Sequence, residues 1–341
     1  MVRVPILFIL LSVGLGACGS RVQVGEAGPT DYESMRAHLG ELFAEQRYEE
    51  AVALLEDALP RFPDHVAANA FNLAFLCGRL GETTKGMAAL RFALDRGAWF
   101  NIYAFGQPQW NVYREVEGFE GILAANDSLR REAQRNATPG MKVVLPSSYD
   151  PDNEYPLFIA LHGGNGNMED FSEVWRSDLL SEGFVVAYLQ SSLIVSMTGY
   201  SWTQDLEVSR SEIADAFRQL GEEYPIDRDR VMVGGFSAGG IAALDVVLRD
   251  AFPVAGFVVL CPGRPESFTD TAISMMRERG VRGTILTTEM DPNLPVQREM
   301  VASLGAAGFQ YQFTVTPNIG HWIPENLGVM IDQAIRHIEN R

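Results

Sequence analysis

The residues in this sequence that are best placed for chemistry begin with the run Gly235-Phe236-Ser237-Ala238-Gly239. A β-type run, Val231–Gly234, precedes it and an apolar helical run, Gly240–Leu248, follows it. A strand that turns directly into a helix leaves no room for side chains two residues before and after the serine, and glycine occupies both positions. The pattern predicts that the Ser237 hydroxyl is raised above a sheet edge, at the positive end of a helix, where it can act as a nucleophile.

A serine hydroxyl needs a base to remove its proton and a carboxylate to orient that base. Asp291 follows a predicted strand, and His321 lies between the last predicted strand and the closing helix, which is predicted over 325–338. We expect Asp291 and His321 to complete a triad with Ser237. Two other acids stay open as alternatives: Glu289, placed within the strand and facing a sheet surface, and Asp270.

Attack on an acyl carbon places negative charge on its oxygen, which backbone N–H groups can stabilise. The run Leu161–Asn167, with glycine at 163, 164 and 166, directly follows an apolar strand and predicts such donors. His162 is assigned a structural role. Trp202 and Asp205 are interpreted either as walls of the substrate pocket or as core and loop packing.

The elements that must position these residues are short β-type runs that alternate with helical stretches after Thr138. This alternation predicts a largely parallel sheet with helices on both faces, and the loops after its strands meet at one edge. The predicted strands are 142–145, 157–161, 185–189, 231–234, 254–260, 284–288 and 311–316. The segment 261–282 is too short for a large cap, which favours an open active site.

The order Ser237, Asp291, His321 and the glycine-rich run after His162 resemble the α/β-hydrolase superfamily. The runs 186–192 and 224–231, together with the serine turn, are similar to its phospholipase/carboxylesterase and polyester-depolymerase-like branches. The resemblance covers nearly all of 138–341. It implies an α/β-hydrolase fold and hydrolysis of carboxylic esters without a cofactor, with Gly163, Gly164 and Ala238 as the oxyanion hole.

Residues 31–135 are rich in helix formers, with apolar residues three and four apart and Pro or Gly at the joints. Two helix pairs superpose at an offset of 34 to 35 residues, which resembles the tetratricopeptide repeat. The second copy departs from that repeat, with Thr83 and Gly86 where an aromatic residue and alanine are favoured. Two interpretations stay open: a groove that docks a protein or peptide, or a helical spacer that partly walls the catalytic domain.

The first residues resemble a secretion signal, with Arg3 before a short apolar run. The run ends in Leu15-Gly16-Ala17-Cys18, which is similar to the lipobox of bacterial lipoproteins. We therefore predict a signal peptide over 1–17, lipidation of Cys18 and a tether over 18–30, so that the protein is exported to the bacterial cell envelope and held there by its lipid anchor. The alternative is a plain signal peptide with a chance cysteine.

The composition is that of a globular protein, with 341 residues, 47% of them hydrophobic. The net charge of −17 argues against nucleic acid as a partner, because an acidic surface repels phosphate. Three cysteines without a CxxC pair and five dispersed histidines predict neither a disulfide framework nor a metal site.

The sequence thus predicts a serine esterase acting on a small-molecule or polymer-linked ester. A prolyl-oligopeptidase-type peptidase and a non-catalytic helical-repeat docking protein stay open as alternatives.

Overall fold

The computed structural model describes residues 31–340, which form two compact units. The first unit ends at Glu132 and the second begins at Ala133. The predicted signal peptide, Cys18 and the tether lie outside the described residues. Within the described part, none of the helices is both long enough and apolar enough to cross a membrane.

The first unit is all-helical, as the spacing of its apolar residues predicts. Asp31 caps the first helix by accepting a hydrogen bond from the Ser34 N–H (2.8 Å), and Gly81 ends the third helix with a left-handed backbone (φ 76°). The helices are α1 (Tyr32–Ala44), α2 (Tyr48–Arg61), α3 (Val66–Leu80), α4 (Thr83–Leu94) and α5 (Phe119–Asn136), with 3₁₀ turns at Ala104–Gly106 and Pro108–Tyr113. The resemblance of this unit to tetratricopeptide repeats stays a prediction.

Gly86, a departure from the repeat pattern, has a packing explanation. The fully buried Tyr113 lies against α3 and α4 and donates its hydroxyl hydrogen bond to the Ala74 carbonyl. A Cβ atom at residue 86 would overlap that hydroxyl. The side chain of Tyr113 therefore occupies the space that an alanine methyl group would take.

The second unit is built on a seven-stranded sheet, and each of the seven predicted strand segments overlaps one of its strands. Its spatial order is β1-β3-β2-β4-β5-β6-β7, with β1 antiparallel to β3 and the other pairs parallel. The strands are β1 (Gly140–Val144), β2 (Tyr155–Leu161), β3 (Val185–Gln190), β4 (Ile226–Phe236), β5 (Gly256–Leu260), β6 (Arg282–Thr288) and β7 (Tyr311–Thr316). The expected mostly parallel sheet is confirmed.

Helices cover both faces of this sheet, because successive strand residues point to opposite sides. In β2, Leu157 and Ile159 join one apolar core and Phe158 joins the other. The first core takes in α8 (Leu206–Glu223), α9 (Ala238–Leu248), α10 (Asp270–Glu278) and α11 (Leu294–Ala306). The second takes in α6 (Met168–Val174), α7 (Asp178–Gly183) and α12 (Leu327–Glu339). This is the α/β-hydrolase fold, preceded along the chain by the helical unit.

The carboxyl ends of the parallel strands lie at one edge of the sheet. Leu161 at the end of β2 is in register with Gly235 of β4, and Thr288 at the end of β6 is in register with Thr316 of β7. The loops that follow these four strands carry His162 to Gly164, Ser237, Asp291 and His321. Parallel pairing therefore brings residues that are far apart in sequence to the same edge.

Candidate active site

Ser237 occupies a strained turn between β4 and α9. Its backbone has φ 53° and ψ −111°, in the left-handed region that L-residues avoid. Its N–H donates to the Leu260 carbonyl (2.9 Å). A Cβ atom at Gly235 or Gly239 would overlap the Leu161 carbonyl, so close packing against the end of β2 requires glycine at both positions.

His321 faces Ser237 from the loop after β7. Its Nε2 lies 2.7 Å from the Ser237 Oγ, at hydrogen-bond distance. The loop is fixed from the end of β6, where the Thr288 hydroxyl donates to the Gly320 carbonyl (2.5 Å) and the Met290 N–H donates to the Ile319 carbonyl (2.9 Å). The loop that carries the His321 imidazole is therefore held in place by the neighbouring strand β6 and the turn that follows it.

Glu289, one of the alternative acids, lies elsewhere than expected. Strand β6 ends at Thr288, so the Glu289 side chain is exposed in the following turn and does not face a sheet surface. It accepts a hydrogen bond from the N–H of Asn318 (2.9 Å), whose φ is 59°. Glu289 thus stabilises the histidine loop. The other alternative, Asp270, is the first residue of α10 and is exposed.

Asp291 is the carboxylate that contacts the histidine. The His321 Nδ1–H donates to its Oδ1 (2.9 Å), and the Asn293 N–H donates to the same oxygen (2.9 Å). Its Oδ2 accepts from the buried Gln297 amide (2.9 Å) and from the Thr287 hydroxyl (3.3 Å). The structure therefore brings together the three side chains that the sequence analysis selected.

The hydrogen bonds around Asp291 keep it ionised although it is buried. Burial by itself raises the pKa of this carboxyl group, but donation from His321, Asn293, Gln297 and Cys261 outweighs burial and lowers the pKa to about 2. Cys261 is buried beside it, and burial together with the Asp291 charge raises the pKa of the thiol to about 12. The thiol therefore stays protonated and is a donor to the carboxylate.

Gln297 and Cys261 were not anticipated from the sequence. Gln297 is fully buried on α11, and its amide bridges Asp291 and the Pro262 carbonyl (3.0 Å). Cys261 follows β5 with φ 51°. No local pattern marks either residue, because their contacts join separate elements of the fold.

Cys261, Asp291 and His321 also form a group of potential metal-ligand atoms within 4.8 Å of one another in the described part of the chain. The His321 Nδ1 and the Asp291 Oδ1 hydrogen-bond each other, and the thiol is protonated. The donor atoms are thus used in hydrogen bonds, and this arrangement favours orientation of the imidazole by the carboxylate over a metal site.

The predicted oxyanion residues lie next to one another. A Cβ atom at Gly164 would lie 3.6 Å from the Ala238 Cβ, and Gly163 packs on the Phe236 ring. Among the residues that the structure describes, the N–H groups of Gly164 and Ala238 donate to no protein acceptor. Two unpaired donors beside Ser237 are what a developing oxyanion requires.

His162 stabilises the glycine-rich loop that carries Gly163 and Gly164. The side chain is buried, its Nδ1–H donates to the Gly163 carbonyl (2.7 Å), and its Nε2 has no hydrogen-bond partner among residues 31–340. The buried Trp202 donates its indole N–H to the His162 carbonyl (3.0 Å), and Asp205 caps α8 by accepting from the N–H groups of Glu207 and Val208. Trp202 and Asp205 therefore make packing and capping contacts, and a part in walling the substrate pocket stays a prediction.

Acid is expected to destabilise the second unit through His162. Burial lowers its pKa to about 4, whereas an unfolded histidine titrates near 6.5. Between these values only the unfolded state takes up the proton, so the free energy of unfolding falls as the pH drops from about 6.5 to about 4, by roughly 3 kcal/mol. Urea titrations at several pH values measure this change.

The matched control is His65→Gln, at an exposed histidine in the first unit. His162→Gln should flatten the pH dependence of stability over this interval, and His65→Gln should leave it unchanged. Equal losses of stability in the parent and in His162→Gln would contradict the assignment.

Comparison with known proteins agrees with this fold. Residues 158–314 match the model of the Alpha/beta hydrolase family. The bifunctional acetylxylan esterase/xylanase XynS20E of Neocallimastix patriciarum is 30% identical over 186 residues, which is 52% of this chain. The chain spans about a quarter (26%) of the length of that relative.

Two solved structures are similar. An uncharacterized protein from Bacillus cereus ATCC 10987 superposes with a TM-score of 0.52 at 21% identity, over 91% of this chain and 99% of that one. The Bacillus cereus carboxylesterase gives 0.46 at 16% identity, over 61% and 99%. The first likeness shows the fold. With the match of residues 158–314 to the family model, it shows that the second unit of this chain has the α/β-hydrolase fold.

Proposed function

We propose that this protein is a serine hydrolase that cleaves carboxylic esters through an acyl-enzyme intermediate. The observation that carries the proposal is the chain of contacts from the Ser237 Oγ to the His321 Nε2 (2.7 Å) and from the His321 Nδ1 to the Asp291 Oδ1 (2.9 Å). This is the arrangement that activates a serine for attack on an acyl carbon. The N–H groups of Gly164 and Ala238, which donate to no protein acceptor among the described residues, lie beside Ser237.

In the first half-reaction, the Ser237 Oγ bonds to the ester carbon while the His321 Nε2 takes its proton. The carbonyl oxygen becomes an oxyanion and accepts hydrogen bonds from the N–H groups of Gly164 and Ala238. When the tetrahedral intermediate collapses, the bond to the alcohol oxygen breaks. The His321 Nε2–H protonates that oxygen, and the alcohol leaves.

In the second half-reaction, water attacks the acyl-enzyme and the His321 Nε2 accepts its proton. The new tetrahedral intermediate expels the Ser237 Oγ, which regains its proton from His321, and the carboxylic acid leaves. Asp291 stays ionised throughout and stabilises the imidazolium, in accordance with its lowered pKa. These steps use residues of this chain and water.

An ester is the preferred substrate in this proposal because the curated relative is named as an acetylxylan esterase/xylanase. Acyl-enzyme chemistry alone also fits an amide, and substrate profiling separates the two.

The experiment is to incubate the purified protein with a fluorophosphonate and to locate the adduct by mass spectrometry. The proposal expects the label on Ser237, hydrolysis of p-nitrophenyl acetate and butyrate, and little hydrolysis of the matching p-nitroanilides. Faster cleavage of the anilides would favour the peptidase. A folded protein that takes up no label would favour the non-catalytic docking protein.

Export and anchoring through Cys18 are a further part of this proposal. The residues Leu15 to Cys18 and the apolar run before them support it. Labelling of bacterial cells with radioactive palmitate, with Cys18→Ala as the control, tests the lipid anchor.

A further inference from the structure

Trp322 is unlike the other tryptophans of this protein. Its side chain is 47% exposed, whereas the other four tryptophans are at most 5% exposed. Indole is among the largest apolar groups a protein can bury, and ligand sites are lined mainly by apolar and aromatic side chains, so an exposed indole beside a reactive centre is a candidate contact for a ligand. Trp99, Trp110, Trp175 and Trp202 are the buried ones.

The Trp322 indole packs in one cluster of rings with Phe236 and the triad histidine His321. Trp322 directly follows His321, and its ring meets the Phe236 ring edge to face at 6.4 Å between centroids. The Phe236 ring in turn lies 5.1 Å from the His321 imidazole, and Phe236 precedes Ser237. The main-chain N–H of Trp322 donates to the Gly320 carbonyl (2.7 Å), and this bond holds the backbone of residue 322 in a tight turn. The indole is therefore held beside the histidine.

The reaction determines which half of the ester lies near this histidine. The His321 Nε2–H must reach the oxygen of the leaving alcohol, whereas the acyl oxygen points to the N–H groups of Gly164 and Ala238. The alcohol half must therefore pass the His321 side, where the exposed indole stands.

We propose that Trp322 binds the alcohol half of the substrate by stacking its indole on a flat, apolar ring face. The inference rests on the proposed function and adds the class of alcohol to it. Two kinds of alcohol share this chemistry, a sugar ring with its C–H face and an aryl alcohol. A second exposed apolar side chain, Met290 (61% exposed), lies in the turn after β6, and the main-chain N–H of Met290 is bonded to the Ile319 carbonyl in the histidine loop.

The charges in the two loops around the indole disfavour an anionic alcohol. Glu289 and Glu325 are exposed in the two loops that carry Met290 and Trp322. Like charges across a binding surface oppose association, so an acidic alcohol would be disfavoured.

The test compares three acetyl esters that share one acyl group: ethyl acetate, phenyl acetate and a monoacetylated methyl pyranoside. For Trp322→Ala, the ratio of kcat/KM for a ring-bearing ester to that for ethyl acetate should fall about tenfold. Trp322→Phe, which keeps a flat face, should recover most of that ratio. The control is Met275→Ala, which removes a side chain of similar exposure (50%) on α10 and should leave the ratio unchanged.

The phenyl and pyranoside arms identify which ring the indole recognises. An equal fall with all three esters, ethyl acetate included, would show that Trp322 supports the triad in general and would overturn the inference. Unchanged ratios in Trp322→Ala would also overturn it. A parent protein that hydrolyses none of the esters and takes up no fluorophosphonate would remove the proposed function itself, and the inference with it.

Discussion

A Ser237→Ala variant is expected to lose ester hydrolysis by about a million-fold in kcat while keeping its fold. The substitution removes the atom that bonds to the acyl carbon, and binding and the oxyanion donors alone leave only a small residual rate. The substitution removes the hydrogen bond between the Ser237 Oγ and the His321 ring. The fold should persist because the main-chain hydrogen bond from the residue 237 N–H to the Leu260 carbonyl remains. Stopped assays with p-nitrophenyl acetate measure the loss.

The control for this variant is Ser303→Ala, at a serine on α11 whose hydroxyl bonds its own helix (3.2 Å to the Glu299 carbonyl). It should keep full activity, and the circular dichroism spectra of both variants should match that of the parent. Parental turnover in a folded Ser237→Ala protein would remove Ser237 from the mechanism.

Asp291→Asn should lower kcat by about ten-thousand-fold. An amide at this position can present an N–H to the His321 Nδ1, which shifts the ring proton to Nε2. The Nε2 that faces Ser237 then carries a proton and cannot accept the one from the hydroxyl. Steady-state kinetics with the same ester measures the loss.

Gln297→Leu makes a graded comparison, because it keeps the carboxylate and removes one of its donors. We expect a much smaller loss, about tenfold, since the bonds from His321 and Asn293 remain. Gln219→Leu, at an exposed glutamine on α8 that bonds Glu223, is the control and should be silent. A loss in Asp291→Asn no larger than that in Gln297→Leu would argue against Asp291 as the residue that fixes the tautomer.

The parts of this fold that the sequence predicts well are those that local patterns determine. The seven strands are evident because most are continuous apolar runs. The serine turn is evident because the turn leaves no room for side chains at residues 235 and 239, and glycine occupies both positions. The start of β4 was less accessible. The strand begins at Ile226, five residues before the predicted start. The sequence does not reveal this start because residues 227–230 are polar and mostly exposed, and the pairing with β2 shifts register there.

The parts that local patterns miss are the contacts between elements. Whether Gln297 points to Asp291 depends on how α11 packs behind β6, and a glutamine on a helix is usually solvent-exposed. Glu289 was misplaced because its role depends on a contact between its turn and the histidine loop, which no local pattern marks. Ser237, Asp291 and His321 were accessible because their order along the chain and their places after strands follow from the sheet topology.

The strained backbone at Ser237 has a consequence for the evolution of related chains. Holding a serine at φ 53° and ψ −111° costs about 1–3 kcal/mol, and under the proposed function selection for catalysis retains it there. A lineage that no longer needs the reaction gains stability by replacing this serine with glycine, which adopts the same conformation without that strain. A glycine at this turn, in a homologue that keeps the flanking glycines, would therefore mark a pseudoenzyme.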